Sequence, residues 1–180
     1  MLRIPHKRPL VAGAALLMAF AACRKPDTIT IEDTEPAPVA RLSSTVHAAD
    51  PGAAAQLKEG FHSIEQEAWR WTQKRFAVAL GVPEGAARTG AALSLRFALP
   101  EPVTARVGSL SLSAEVGGVS LPPEFYSKPG EYIYTRDVPS AVLAGDTVVV
   151  VFSADKAIPP GPADRRELAL IFSSVSLEAK

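Results

Sequence analysis

From Thr45 onward the apolar positions recur with a period of two. Leu93, Leu95, Phe97 and Leu99 alternate with Ser94, Arg96 and Ala98, and Leu110, Leu112, Ala114 and Val116 alternate with Ser111, Ser113 and Glu115. Successive side chains on a strand point to opposite faces, so this pattern predicts strands buried on one side. Phe76, Val78 and Leu80 repeat it, as do Tyr132 and Tyr134 against Ile133 and Thr135. Gly117-Gly118 predicts a tight hairpin turn into VSLP. The unbroken run TVVVVF, Thr147 to Phe152, predicts a strand buried on both faces. Leu168, Leu170 and Phe172 predict a last strand, in which Ser173-Ser174 marks a bulge or change of face before Val175 and Leu177.

Breakers separate these runs: GVPEGAARTG, LPPEFYSKPGE, DVPSAVLAGD and ADKAIPPGPADRR. PSAVLAG, enough for a single turn, is the only helical fragment expected. About eight short strands with turn signals between them predict an all-β fold, an antiparallel β-sandwich or jelly roll. It is expected to fill residues 45–180.

The first 44 residues follow a different pattern. Arg3, Lys7 and Arg8 precede an apolar run from Leu10 to Ala22. As a helix this run reaches only ~20 Å, short of a ~30 Å hydrocarbon core, so residues 1–22 are expected to be a signal peptide. The run ends FAAC, and Cys23 is the only cysteine of the chain. Small residues before a lone Cys resemble the lipobox of bacterial lipoproteins, with Phe20 where Leu is commoner. Lipidation at Cys23 accounts for an otherwise unpaired exported thiol. The alternative is plain secretion, because Ala19-Phe20-Ala21 is itself an A-x-A cleavage site. Arg24 follows the Cys in place of the Asp that often retains lipoproteins at an inner membrane, so the outer membrane is the expected location. Residues 23–44, rich in Pro, Thr, Asp and Glu, are expected to be a disordered tether carrying the lipidated Cys at its start.

Charge narrows the partners. Nineteen basic residues balance nineteen acidic ones, but loss of Arg3, Lys7 and Arg8 leaves 16 against 19. No Lys/Arg run is left to neutralise a row of phosphates, which argues against nucleic acid. His47 and His62 have no Cys or carboxylate at metal-ligand spacing, and no phosphate-binding or nucleophile-elbow motif occurs. No metal, cofactor or catalytic centre is therefore expected. A hydrolase using Glu65 or Glu67 as acid or base is the weakest reading, because any solvated strand face presents carboxylates so spaced.

Two places offer binding chemistry. On a continuous strand, Glu67, Trp69 and Trp71 share one face, and Ala68, Arg70 and Thr72 the other. Indoles two residues apart form a ladder that either fills a sandwich interior or stands exposed as a shelf for the C–H face of a sugar, with Arg70, Thr72, Gln73 and the nearby carboxylates binding its hydroxyls. The alternating context favours the interior. The second place is Asp164-Arg165-Arg166-Glu167, after a Pro/Gly-rich loop. Adjacent arginines can grip a carboxylate or acidic sugar, or form local salt bridges with Asp164 and Glu167.

Gly60-Phe61, Glu65, Arg70-Trp71-Thr72 and, near the end, Arg166-Glu167-Leu168 resemble an opening and closing pattern of bacterial galactose-binding-like β-sandwich domains. Ala169 stands where that pattern has Gly. The resemblance implies a jelly roll found in poorly characterised envelope proteins, and makes glycan binding an expectation. It also implies that Arg70 and Arg166 pair with Glu65, Asp164 or Glu167 where the first and last strands meet. The expected protein is therefore a lipid-anchored, non-catalytic envelope protein that binds carbohydrate, with docking on a partner envelope protein as the alternative.

Overall fold

The computed structural model describes residues 41–180. The expected signal peptide, Cys23 and most of the tether lie outside them. The described residues form nine strands: β1 (Thr45–His47), β2 (Leu57–Glu65), β3 (Trp69–Gly81), β4 (Ala91–Leu99), β5 (Leu110–Val116), β6 (Val119–Tyr126), β7 (Gly130–Val138), β8 (Thr147–Ala154) and β9 (Ile171–Ala179). All pairings are antiparallel.

The strands pair in the order β6-β5-β8-β3-β9-β4-β7, with β2 on β3 and β1 on β9. β3 is what joins the two layers. Its last seven residues, Arg75 to Gly81, pair with β8, while Arg70 and Trp71 pair with Phe172 and Ile171 of β9. One layer is thus β2-β3-β8-β5-β6 and the other β9-β4-β7, with β1 and the start of β3 along β9. The outcome is the all-β antiparallel sandwich that the alternation predicts.

Alternation explains the interior. Phe76, Val78 and Leu80 lie opposite Phe152, Val150 and Val148, and all six are buried. From the other layer come Leu93, Leu95, Phe97, Val175 and Leu177, also buried. Phe61 ties the layers together, with its ring 5.4 Å from Phe76 and 5.1 Å from Phe172. Phe76 stacks on Phe152 at 5.0 Å. Each such ring contributes ~1.5–3 kcal/mol through burial.

Four local expectations meet different outcomes. Gly117-Gly118 does turn β5 into β6, both with positive φ (55° and 85°). Ser173 is the bulge residue, since Arg96 pairs with Ser174 while Phe97 pairs with Phe172. TVVVVF is not buried on both faces: Val148, Val150 and Phe152 point inward, whereas Val149 is 47% exposed. LPPEFY is strand rather than breaker. Pro122 and Pro123 are tolerated because β6 is an edge, where a missing N–H costs no ladder bond. Their carbonyls accept from Tyr134 Oη (2.9 Å to Pro122) and Arg136 (2.8 and 3.1 Å), which laces β7 of one layer to β6 of the other.

Helix is also more extensive than expected. α1 (Ala86–Thr89) and α2 (Glu101–Val107) join a 3-10 turn at Pro51–Ala55 and another at Ser140–Val142. At the opposite end of the molecule from Trp69, Gly81 lies against Leu42, and its N–H donates to Ser43 O at 2.9 Å.

Candidate functional site

The stretch EQEAWRW is a hairpin, not one strand. Gln66 and Glu67 take positive φ (50° and 55°), and Glu65 lies opposite Trp69. Glu67 therefore sits in the turn and does not share a face with the tryptophans. Across the layer the register runs Trp71, Ile171, Ala98, Glu131, a row in which directly opposed residues face the same way. The next row, Arg70, Phe172, Phe97, Tyr132, faces inward, with Phe172 and Phe97 buried.

By register Trp71 belongs to the outer row, yet its side chain packs against the hydrophobic core. Both are half-buried, with rings edge to face at 6.1 Å. Thr72 is the buried residue of this stretch. Its backbone trades bonds with the closing segment, N–H to Leu170 O and C=O from Ala169 N–H, each at 2.9 Å.

A groove of about 370 Å³ runs across β9, β4 and β7, lined by Arg96, Phe97, Glu131, Tyr132, Ile133 and Ser173. Glu131 shares the row of Trp71, three strand spacings or ~14 Å away. The Arg96 side chain pairs with no carboxylate among the described residues. Arg96, Glu131 and Ser173 come from three strands, and Ser173 is the bulge residue of β9.

The arginine expectations sort differently. Arg70 meets no carboxylate among the described residues: Nε donates to Ala48 O (3.2 Å) and Nη1 to His62 O (3.3 Å). Arg166 bridges two acids, Asp164 Oδ2 at 2.9 Å and Glu65 Oε1 at 2.6 Å, and so ties the hairpin tip to the β8–β9 loop. Hydrogen bonds from Arg166 hold the Asp164 carboxyl down at about 2 and push the guanidinium above its already high range. Glu167 forms no ion pair among the described residues and instead accepts from Lys74 N–H at 2.7 Å. Arg165 is exposed beside Pro160, Gly161 and Pro162 along a shallow depression.

Glu65 is thus engaged by Arg166, and Glu67 stands exposed in a turn. His62 Nε2 contacts Glu167 O at 2.7 Å, and His47 is exposed. Among the described residues no three His, Cys, Asp or Glu side chains are grouped to hold a metal ion.

No protein-family model matches the chain. No curated protein matches it either. Among solved structures, it is similar to a family GH115 4-O-methyl-α-glucuronidase with specificity for decorated arabinogalactans (13% identity, TM-score 0.48, 79% of this chain and 18% of that one). It is similar to a carbohydrate-binding module of family 36 in complex with calcium and xylotriose (10% identity, TM-score 0.41, 74% of this chain and 98% of that one). It is also similar to a family 35 carbohydrate-binding module from an environmental isolate (12% identity, TM-score 0.37, 80% and 90%). The chain spans less than two thirds of the length of the first. These likenesses assign neither a ligand nor an activity to this chain.

Proposed function

We propose that this is a lipid-anchored cell-envelope protein whose sandwich binds a surface glycan or exopolysaccharide without catalysis. The observation that carries the reading is the half-buried Trp69–Trp71 pair, edge to face beside the β2–β3 turn. Aromatic faces take the C–H side of sugar rings, while Arg96, Glu131 and Ser173 supply donors and acceptors for hydroxyls. A short oligosaccharide lying along the row from Trp71 meets both. The test is a glycan array on the soluble domain, followed by Trp71→Ala and Trp69→Ala. Binding by the wild type that fails in Trp71→Ala, with the circular dichroism unchanged, supports the reading. A wild type that retains no glycan sinks it.

Anchoring rests on Cys23, and the outer membrane on Arg24 at the next position. Cys23→Ser is expected to release the protein from the membrane fraction; retention of the variant would show that no lipid holds it there.

A second reading is docking on an envelope protein. It is favoured by Phe125, 73% exposed on β6, and Val149 on β8, both on the outer face of the other layer. Phe125→Ser leaves glycan retention intact in the first reading and abolishes capture of the partner in the second.

A further inference from the structure

The end of the sandwich nearest Trp69 holds a cleft of about 490 Å³, within the ~300–1,000 Å³ range of ligand sites. It is built from three segments distant in sequence: Lys74 of β3, Arg106-Val107 at the end of α2, and the β8–β9 loop with Asp155, Lys156, Ala157, Pro159 and Glu167.

Its charged groups fall into two sets. Asp155 Oδ1 accepts from Ser111 N–H at 2.6 Å, and Glu167 Oε1 from Lys74 N–H at 2.7 Å. Lys156 Nζ donates to Ser109 O at 2.7 Å and Val107 O at 3.3 Å. These bonds fix the walls. The Lys74 ammonium and the Arg106 guanidinium are left over: among the described residues no carboxylate lies within 4.0 Å of either. The backbone has taken up the acids that would otherwise pair with them.

We infer that this cleft holds the carboxylate of an acidic sugar, so that the glycan is a uronate-bearing one; the inference rests on the glycan-binding reading. Lys74 and Arg106 grip the carboxylate, Arg106 with its planar fork. The second oxygens of Asp155 and Glu167 accept from ring hydroxyls, and Val107, Ala157 and Pro159 face the ring's C–H surface. Three cations against two anions leave a single positive charge, which matches a monoanionic carboxylate better than a dianionic phosphate.

The test is calorimetric titration of the domain with tetragalacturonate, with its fully methyl-esterified form, and with neutral galactotetraose. The acid form is expected to bind, and to weaken as salt rises from about 0.1 M to about 1 M. The ester is expected to bind about tenfold or more weakly, the order for losing a charge-assisted hydrogen bond. The double variant Lys74→Met/Arg106→Gln is expected to erase that preference at an unchanged melting temperature, while Arg88→Gln, outside the cleft, keeps it. Equal binding of acid and ester, or a preference that survives the double variant, overturns the inference and leaves glycan binding standing. Binding of galactotetraose alone overturns it in the same way. If no glycan binds, both readings fall.

Discussion

Gly60 and Gly85 have nearly the same backbone conformation, φ +76° and +86°, and very different surroundings. A Cβ at Gly85 meets nothing within 4 Å. A Cβ at Gly60 overlaps the Arg75 carbonyl oxygen and stands 2.6 Å from Phe76 Cα. Here β2 crosses tightly over β3, at the register break between Glu59–Ala77 and Phe61–Thr72. Gly85→Ala is charged only for the left-handed conformation, ~1 kcal/mol. Gly60→Ala carries the same cost plus displacement of main chain against main chain, a further ~1–3 kcal/mol. The total of ~2–4 kcal/mol lowers the melting temperature of residues 41–180 by roughly 8–15 °C, against about 4 °C for Gly85→Ala. Thermal and urea melts of the two variants, each with the m-value checked against wild type, measure the difference. Equal losses would refute the reasoning, because they would mean that β2 moves away from Phe76 without resistance.

Other outcomes follow from the same structure. Asp164 falls from an ordinary 3.8 to about 2, so its stabilising contribution is present above 3.8 and lost as the pH drops toward 2. The stability gap between wild type and Asp164→Asn, read by melts across acid pH, should therefore hold at pH 5 and close near pH 2. Arg166→Gln should lower the melting temperature by a few degrees through loss of both Glu65 and Asp164, whereas exposed Arg165→Gln leaves it unchanged. On β8, Val150→Ala should cost ~2 kcal/mol in urea melts and its exposed neighbour Val149→Ala under ~0.5. Tyr126 Oη is buried with no hydrogen-bond partner among the described residues, and burial, followed by the charge of Glu124, pushes its pKa above the ordinary range. Tyr126→Phe should be neutral or stabilising by up to ~1 kcal/mol, since it removes an unsatisfied polar group.

The alternating strands were readable because period two is a local property. Leu93 to Leu99 and Leu110 to Val116 bury the residues their pattern indicates. Ser173 was readable as a bulge because two adjacent serines interrupt that period. TVVVVF misled because a β-branched run does not record whether a second layer covers its far face. α2 escaped although Pro102 opens it and Gly108 closes it, because seven residues are too few to show a helical period. The partial burial of the tryptophans was not legible, because the Gln66-Glu67 turn and the register with Ile171 decide it, and neither is a local pattern. Lys74, Arg106 and Lys156 form no motif at all. Their meeting depends on three connections closing at one end of the sandwich, and on Asp155 and Glu167 being occupied by backbone N–H groups.

The bond from Gly81 N–H to Ser43 O fixes where the described chain enters the sandwich. Any chain preceding Arg41 joins the molecule at the Gly81 pole, whereas Trp71 stands ten residues back along β3, ~33 Å away at the opposite pole.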